Sequence, residues 1–300
     1  MDEIDHSLDT DVLDNIMRPF ASIVYLTKDG GNLFAKSLEA VFTQKTDFEF
    51  EVIVVDSGST DGTLELFEKF PVKVYRITAN EFDFGLTRDY GFSLAKGEII
   101  LTLSQDVVPA SNDWLQLMVD PFIDAKIAVV QGTDIVPNDV GLFFWYANGL
   151  FYYTRDLIKW KHDNEGIGIS FTSCALRRSV WSENHIGKAA MNEDKIFQQK
   201  IKSKGFKIVQ QLLAKTYHAH MYTVKELAKR CENEGMGWRL CSLNYSMTDM
   251  MKDMFNKKIT GVLISGIFSG EVKRLAEILF PVIRPYYLYK GNHYTSAYIK

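Results

Sequence analysis

Carboxylates at the ends of apolar runs are the first chemical signal in this chain. Ile99-Ile100-Leu101-Thr102-Leu103 runs into Ser104-Gln105-Asp106 ahead of Pro109, and Phe50 to Val55 runs into Asp56-Ser57-Gly58-Ser59-Thr60-Asp61-Gly62-Thr63. A β-rich apolar run that delivers an acid is what a central strand of a parallel sheet presents at its carboxyl edge, where open α/β folds bind ligands. Asp106 reads there as a functional acid or as a turn residue before Pro109. Asp56 can accept hydrogen bonds from a base or ribose while the glycines after it let a ligand approach the backbone. An Asx turn with a helix cap at Thr60 or Asp61 accounts for the same residues. Arg88, in Phe82-Asp83-Phe84-Gly85-Leu86-Thr87-Arg88-Asp89, offers a guanidinium for bidentate contact with a diphosphate, or a surface pair with Asp83 or Asp89. Glu193 and Asp194 follow Asn192 at the head of an apolar helix face, either as acids favoured by the helix dipole or with one of them a general base. His218 and His220 share a face on an extended segment, where imidazoles serve as metal ligands or as plain structure.

The elements that must position these residues alternate. Ala21 to Thr27 reads as a first strand, Asn32 to Gln44 as an amphipathic helix, and Phe50 to Val55 as a second strand. A helix over Leu64 to Phe70, a strand over Val72 to Ile77, a helix ending at Ala95, the strand from Ile99, a helix near Asp113 to Ile123 and a strand over Ile127 to Gln131 continue the rhythm. It is the pattern of a parallel sheet with right-handed crossovers. After Pro137 the rhythm fails. Gly141 to Trp160 is crowded with aromatics and reads as a helix packed on the core or lining a cleft. Ile169 to Leu176 and Phe206 to Val209 read as strands, and Asn192 to Lys204 as a helix. From Thr223 the pattern is helical, with Gly235, Gly237, Gly261 and Gly266 expected as breaks and a domain change expected near Met221.

With 300 residues, 46% hydrophobic and 24% charged, the chain has a globular composition and room for one large domain plus an extension. A net charge of -4 argues against nucleic acid as a partner. Residues 1–14 carry six acids and no Lys or Arg, a solvated lead-in, whereas residues 249–300 carry eight bases against four acids and face either a membrane or solvent. Cys174, Cys231 and Cys241 show neither a disulfide framework nor metal-ligand spacing, so reduced cytoplasm is the default. The N-terminus lacks the apolar core of a secretory signal, and Ile259 to Phe268 is about half the roughly 20 residues that span a bilayer. The first βα junction, Thr27-Lys28-Asp29-Gly30-Gly31-Asn32, lacks the glycine spacing of a dinucleotide fold, and no Walker sequence occurs.

The order of the motifs says more than any one of them. Val55-Asp56-Ser57-Gly58-Ser59-Thr60-Asp61-Gly62-Thr63, then Phe84-Gly85 with Thr87-Arg88-Asp89, then Ser104-Gln105-Asp106 with Pro109, then Phe171 to Ser179, then Asn192-Glu193-Asp194 and His218 with His220, resembles a family 2 glycosyltransferase of the GT-A fold. The likeness covers about residues 20–220, and the Thr-Arg-Asp and Ser-Gln-Asp-Val-Val-Pro segments are most similar to the rhamnosyltransferase-like subgroup.

This resemblance implies an α/β, mostly parallel sheet flanked by helices as the GT-A domain (20–221), after an acidic lead-in (1–19) and before a helical C-terminal extension (222–300). It implies an inverting transfer of a sugar, rhamnose from dTDP-rhamnose, to a glycan or lipid-linked acceptor. Thr27, Asp56, Ser57, Arg88, Gln105 and Asp106 would bind the donor. Asp106 and His220 would hold Mg²⁺ or Mn²⁺, Asp194 would be the base, and Glu193 would support it. Ser104 stands where the family's Asp-x-Asp element has its first acid, leaving Asp106 to meet the metal largely alone. The basic C-terminal region is expected on the inner membrane face of the cytoplasm, or as a helical cap packed on the catalytic domain or a dimer contact. The rival readings are a sugar-nucleotide pyrophosphorylase, for which Lys28-Asp29-Gly30-Gly31 is a poor loop, and a non-catalytic nucleotide-sugar binding protein.

Overall fold

The computed structural model describes residues 19–137 and 142–299; apart from its last residue, the acidic lead-in lies outside them. Strands β1 (Ala21–Thr27), β2 (Phe50–Asp56), β3 (Val72–Arg76), β4 (Ile99–Ser104), β5 (Val108–Pro109), β6 (Ile127–Ile135), β7 (Ser173–Arg177) and β8 (Lys207–Tyr217) form one sheet in the order β3-β2-β1-β4-β7-β6-β8-β5. Helices α1 (Gly31–Phe42), α2 (Thr63–Leu66), α3 (Phe84–Ser93) and α4 (Trp114–Val119) fall between the early strands. Later come α5 (Phe144–Ala147), α6 (Arg155–Asp163), α7 (Arg178–Ser182) and α8 (Glu193–Ser203), then α9 (Val224–Leu240), α10 (Met247–Met254), α11 (Lys257–Phe268) and α12 (Leu275–Tyr294).

Both faces of β1, β2 and β4 are covered, which is why these strands are near-continuous runs of Val, Ile and Leu. The period of two still sorts their side chains. Ile23, Val52, Leu101 and Leu103 pack in one core with Phe34, Leu38 and Trp114, while Val24, Ile53 and Ile100 pack in another with Phe92, Trp181 and Phe197.

The β3-β2-β1-β4 half of the sheet is parallel, in register such that Thr27 lies across from Asp56 and Leu26 across from Ser104. The other half departs from the expected parallel order: β7 runs antiparallel to β4 and β6, and β5 antiparallel to β8. The reason lies in the chain's path. β6 finishes at the carboxyl edge, and the aromatic stretch leaves the sheet there and returns there. β7 must therefore run back across the sheet. β8, parallel to β6, then ends at the carboxyl edge again, which delivers His218 and His220 to the side of the sheet that holds Asp106.

Two further expectations are corrected. Neither Thr60 nor Asp61 caps the helix after β2; Gly62 precedes α2 at φ 90°, and the Asp61 carboxylate accepts from the N–H and hydroxyl of Thr63. The glycines expected as helix breaks lie inside helices, Gly235 and Gly237 in α9, Gly261 and Gly266 in α11. Gly235 is there because α9 and α12 touch through their backbones. A Cβ on Gly235 would sit 2.1 Å from the Leu288 carbonyl oxygen, and one on Gly291 1.9 Å from that of Glu232.

The aromatic stretch builds a third core with these helices. Phe143, Trp145, Phe151, Tyr153 and Trp160 pack with Leu227, Cys231, Trp238, Phe280 and Leu288. Trp145 stacks on Phe280 with ring centroids 4.8 Å apart, and Tyr146 on Phe151 at 4.2 Å. Buried within it, the Arg284 guanidinium pairs with Glu234 at 2.8 Å and faces the Phe151 ring at 4.7 Å. Among the described residues no helix is long and apolar enough to cross a membrane.

Candidate active site

Three strand ends bring a carboxylate and two imidazoles together. Asp106 sits in the turn after β4, just before β5; β5 pairs with β8, and His218 follows directly on β8. One ligand atom from each of Asp106, His218 and His220 lies within 4.8 Å of the others. The Asp106 Oδ2 is 3.8 Å from His218 Nε2 and 3.6 Å from His220 Nδ1. On its other side His218 turns Nδ1 toward Asp134 of β6, at 3.5 Å, and Asp134 accepts a 2.9 Å hydrogen bond from Thr216.

The electrostatics follow from this crowding. Burial alone would hold both imidazoles neutral. For His218 that penalty is outweighed by the two carboxylates, which push it up to about 10. For His220 burial and then the neighbouring His218 charge win, and it falls to about 4. Burial works to raise Asp106 as well, but hydrogen bonding and charge from His218 hold its carboxyl below the usual range. The site thus holds one cationic charge between Asp106 and Asp134. A divalent cation that displaces the His218 Nε2 proton fits this donor set, with one carboxylate oxygen, two imidazole nitrogens, and Asp134 as the outer partner that fixes the His218 ring.

Beside this cluster the loops after β1, β2 and β4 are laced together. The Gln105 amide oxygen accepts from Thr27 Oγ1 at 2.6 Å and from Lys28 N at 2.9 Å, while its amide nitrogen donates to the Lys28 carbonyl. Ser57 donates through N and Oγ to the Thr27 carbonyl. Asp56 is fully buried and its carboxylate accepts from Gly58 N and Ser59 N, with the Arg76 Nε 3.6 Å away. Thr27, Ser57 and Gln105 are therefore brought together, and Asp56 forms an Asx turn under the same loop.

Arg88 lies differently from the expectation. Its guanidinium is 6% exposed; Nε and Nη2 donate to Glu193 Oε1 at 3.2 and 3.1 Å, Nη1 donates to Thr102 Oγ1 at 2.6 Å, and the group faces the Phe171 ring. Asp83 and Asp89, the surface partners considered from sequence, are engaged elsewhere, Asp83 as the cap of α3 and Asp89 by Trp181, Ile186 and Gly187. Buried, and with Nε, Nη1 and Nη2 each engaged by Glu193 or Thr102, Arg88 does not present an open fork to a diphosphate. Burial raises Glu193 above the usual carboxylate range while the Arg88 charge opposes the shift. Asp194, one residue along, is less enclosed. Its carboxylate accepts from Lys195 N at 2.7 Å and pairs with Lys195 Nζ at 3.0 Å. Asn192 before it holds φ 56°, a left-handed turn that starts α8.

The sequence places His218 and His220 on one face of an extended segment, and the resemblance gives His220 to the metal; the structure turns both imidazoles toward Asp106. Other residues at the site carry no such signal. Asp134 gave no signal because its partner, His218, is remote in sequence. Tyr146 and Tyr222 wall the His220 side, with ring centroids 6.0 and 5.7 Å from the imidazole. Arg230 of α9 adds a positive charge that helps to lower His220, and its Nη1 is 3.6 Å from Glu234.

Comparison with known proteins bears on the fold and the family. The O-antigen chain rhamnosyltransferase RfbN of Salmonella typhimurium is 29% identical over 232 residues, spanning 74% of this chain and 73% of its own. The O-antigen chain rhamnosyltransferase WbaN of Salmonella anatum is 25% identical over 226 residues, 73% and 72% of the two chains. Among solved structures, the mannosyltransferase PcManGT from Pyrobaculum calidifontis, in complex with GDP-Man and Mn²⁺, superposes with a TM-score of 0.57 at 13% identity, over 90% of this chain and 85% of that one. Glucosyl-3-phosphoglycerate synthase from Mycobacterium tuberculosis gives 0.57 at 15% identity, over 77% and 82%. These two likenesses concern the fold. Residues 22–185 match the model of Glycosyl transferase family 2, more than half of the chain, and the protein belongs to that family.

Proposed function

We propose that this glycosyltransferase moves rhamnose from dTDP-rhamnose to a hydroxyl of a growing surface polysaccharide, with inversion at the anomeric carbon. The observation that carries the site is the convergence of Asp106, His218 and His220 beside the Thr27–Gln105 lock at the carboxyl edge of the sheet. The choice of rhamnose is supported by two relatives named as O-antigen chain rhamnosyltransferases. In this reading the donor base lies over the loops of Thr27, Asp56 and Ser57, and its diphosphate reaches Gln105 and Asp106.

A bound Mg²⁺ or Mn²⁺ held by Asp106, His218 and His220 would neutralise charge on the departing diphosphate. Asp194 accepts the proton of the acceptor hydroxyl as its oxygen bonds to the anomeric carbon, while the sugar–phosphate bond breaks and its electron pair leaves with the diphosphate. Arg88 and Glu193 act from below, as a buried pair that fixes the first turn of α8 and so the position of Asp194. The helices after Met221 form a C-terminal extension on the acceptor side, where a lipid-linked glycan at the inner membrane face would be presented.

The test is turnover with a panel of dTDP-rhamnose, UDP-glucose and GDP-mannose, with Mn²⁺ and after chelation. Preferential release of dTDP, lost on chelation and in Asp194→Asn while donor binding survives in that variant, is the expected result. Equal turnover by Asp194→Asn would remove it as the base, and preference for another donor would overturn the choice of rhamnose.

A further inference from the structure

The C-terminal helices leave apolar surface outward that none of the other described residues covers. α12 buries Ala276, Phe280, Ile283 and Leu288 on one side, yet Leu275, Ile278, Leu279, Val282 and Tyr286 are exposed and recur at spacings that put them on a second stripe of the same helix. α11 buries Ile259 and Gly266; Lys257, Ile264 and Phe268, separated by seven and four residues, share its outer face, with Phe268 89% exposed. α10 exposes Met247 and Met251, and Phe255 follows at the same spacing. A soluble monomer rarely shows this much neighbouring apolar surface without a use for it.

The charge around this surface has one dominant sign. Lys252, Lys257, Lys258 and Lys273 are exposed, and α11 contains no acid. Glu271, in the turn after α11, is the exposed acid of the region; Asp249 is tied to Ser246, and Asp253 is buried against Arg155 and Tyr245. Where α6, α10 and α11 meet, Arg155, Met251, Lys252, Phe255, Asn256 and Lys257 line an open cavity of about 530 Å³. Lys252 and Lys257, with Arg155 that also pairs with Asp253, stand there beside Met251 and Phe255.

We propose that the α10–α11–α12 face docks on an anionic lipid bilayer, with the cavity of Arg155, Lys252 and Lys257 taking a phospholipid headgroup phosphate and Phe255, Ile264 and Phe268 entering the acyl boundary. Apolar side chains flanked by lysines, on helices none of which is both long and apolar enough to span, are the composition of an interfacial contact. The proposal deepens the reading of a lipid-linked acceptor and rests on it for purpose only; the surface is defined by its own residues.

Co-sedimentation of the full chain with vesicles, without donor or metal, tests it separately from catalysis. Wild type should bind vesicles of equal parts phosphatidylcholine and phosphatidylglycerol and bind pure phosphatidylcholine weakly. Lys252→Glu/Lys257→Glu should lower the partition to anionic vesicles by about tenfold or more, given roughly fivefold per basic residue at such a surface. Ile264→Ser/Phe268→Ser should lower it on the same vesicles, and both variants should keep wild-type melting and transfer to a soluble acceptor. Binding unchanged in the variants, indifferent to lipid charge, or absent in wild type would overturn the proposal. So would a wild-type dimer that Ile264→Ser/Phe268→Ser dissociates without any vesicle binding, which would give the face to a second copy. Loss of turnover with vesicle binding intact would count against the transferase reading and leave the lipid site standing.

Discussion

At the scale of single residues, the site depends on how charges are shared. His218 stands between Asp106 and Asp134, and His220 is held toward its neutral form first by burial and then by the charge on His218. A cation bound here would take the place of the His218 Nε2 proton, with Asp106 and His220 as the other donors and Asp134 holding the His218 ring. We therefore expect Asp134→Asn to weaken Mn²⁺ affinity by about 10- to 100-fold while His218→Ala and Asp106→Ala weaken it further. Calorimetric titration with Mn²⁺ alone is the measurement; an Asp134→Asn isotherm matching wild type would remove the outer carboxylate from the site. The Arg88–Glu193 pair makes a different demand. Removing one member of a buried pair leaves the other uncompensated, so Glu193→Gln should destabilise the fold by about 3–5 kcal/mol, read from denaturant unfolding. A loss of activity with unchanged stability would instead mean that Glu193 touches substrate.

At the scale of elements, glycine was the residue most open to misreading. In sequence, Gly235, Gly237, Gly261 and Gly266 look like helix breaks, because a helix interior disfavours glycine. The contact that requires Gly235 comes from α12, more than fifty residues away, and local pattern carries no trace of it. The strands were legible for the opposite reason: burial on both faces writes itself into consecutive residues, and β1 was read to its ends. β7 was read too long and β8 too short, since an antiparallel return and a strand held between β6 and β5 owe their extent to neighbours remote in sequence. Gly291→Ala, aimed at the Glu232 carbonyl, should cost about 3 kcal/mol or more as α9 and α12 are forced apart. Gly261→Ala, with open space around its Cβ, should stabilise α11 by about 1 kcal/mol. Thermal melts of the two variants test this; losses of similar size in both would show that helix propensity, not helix contact, governs these positions.

At the scale of the molecule, the sheet and the C-terminal helices meet through the aromatic core, and that junction contains a buried acid without a good partner. Asp156, in the first turn of α6, is buried, with the Thr154 hydroxyl and the Leu157 N–H beside its carboxylate but neither in a well-formed hydrogen bond. Burial raises its pKa from 3.8 to about 6, with the Arg284 charge opposing and Glu234 reinforcing the shift. Because the folded value lies above the unfolded one, the neutral form is favoured by folding. Its contribution is fully present below about pH 4 and is lost as pH rises through about 6. A displacement of about two units corresponds to roughly 3 kcal/mol of stability withheld at neutral pH. Asp156→Asn keeps the shape and removes the ionisation, so the variant should gain on wild type as pH rises from 4.5 to 7 and hold a constant advantage above that. Unfolding curves of both proteins across this range decide the point. A stability difference that does not change with pH would mean that Asp156 is not the group that makes this junction sensitive to pH.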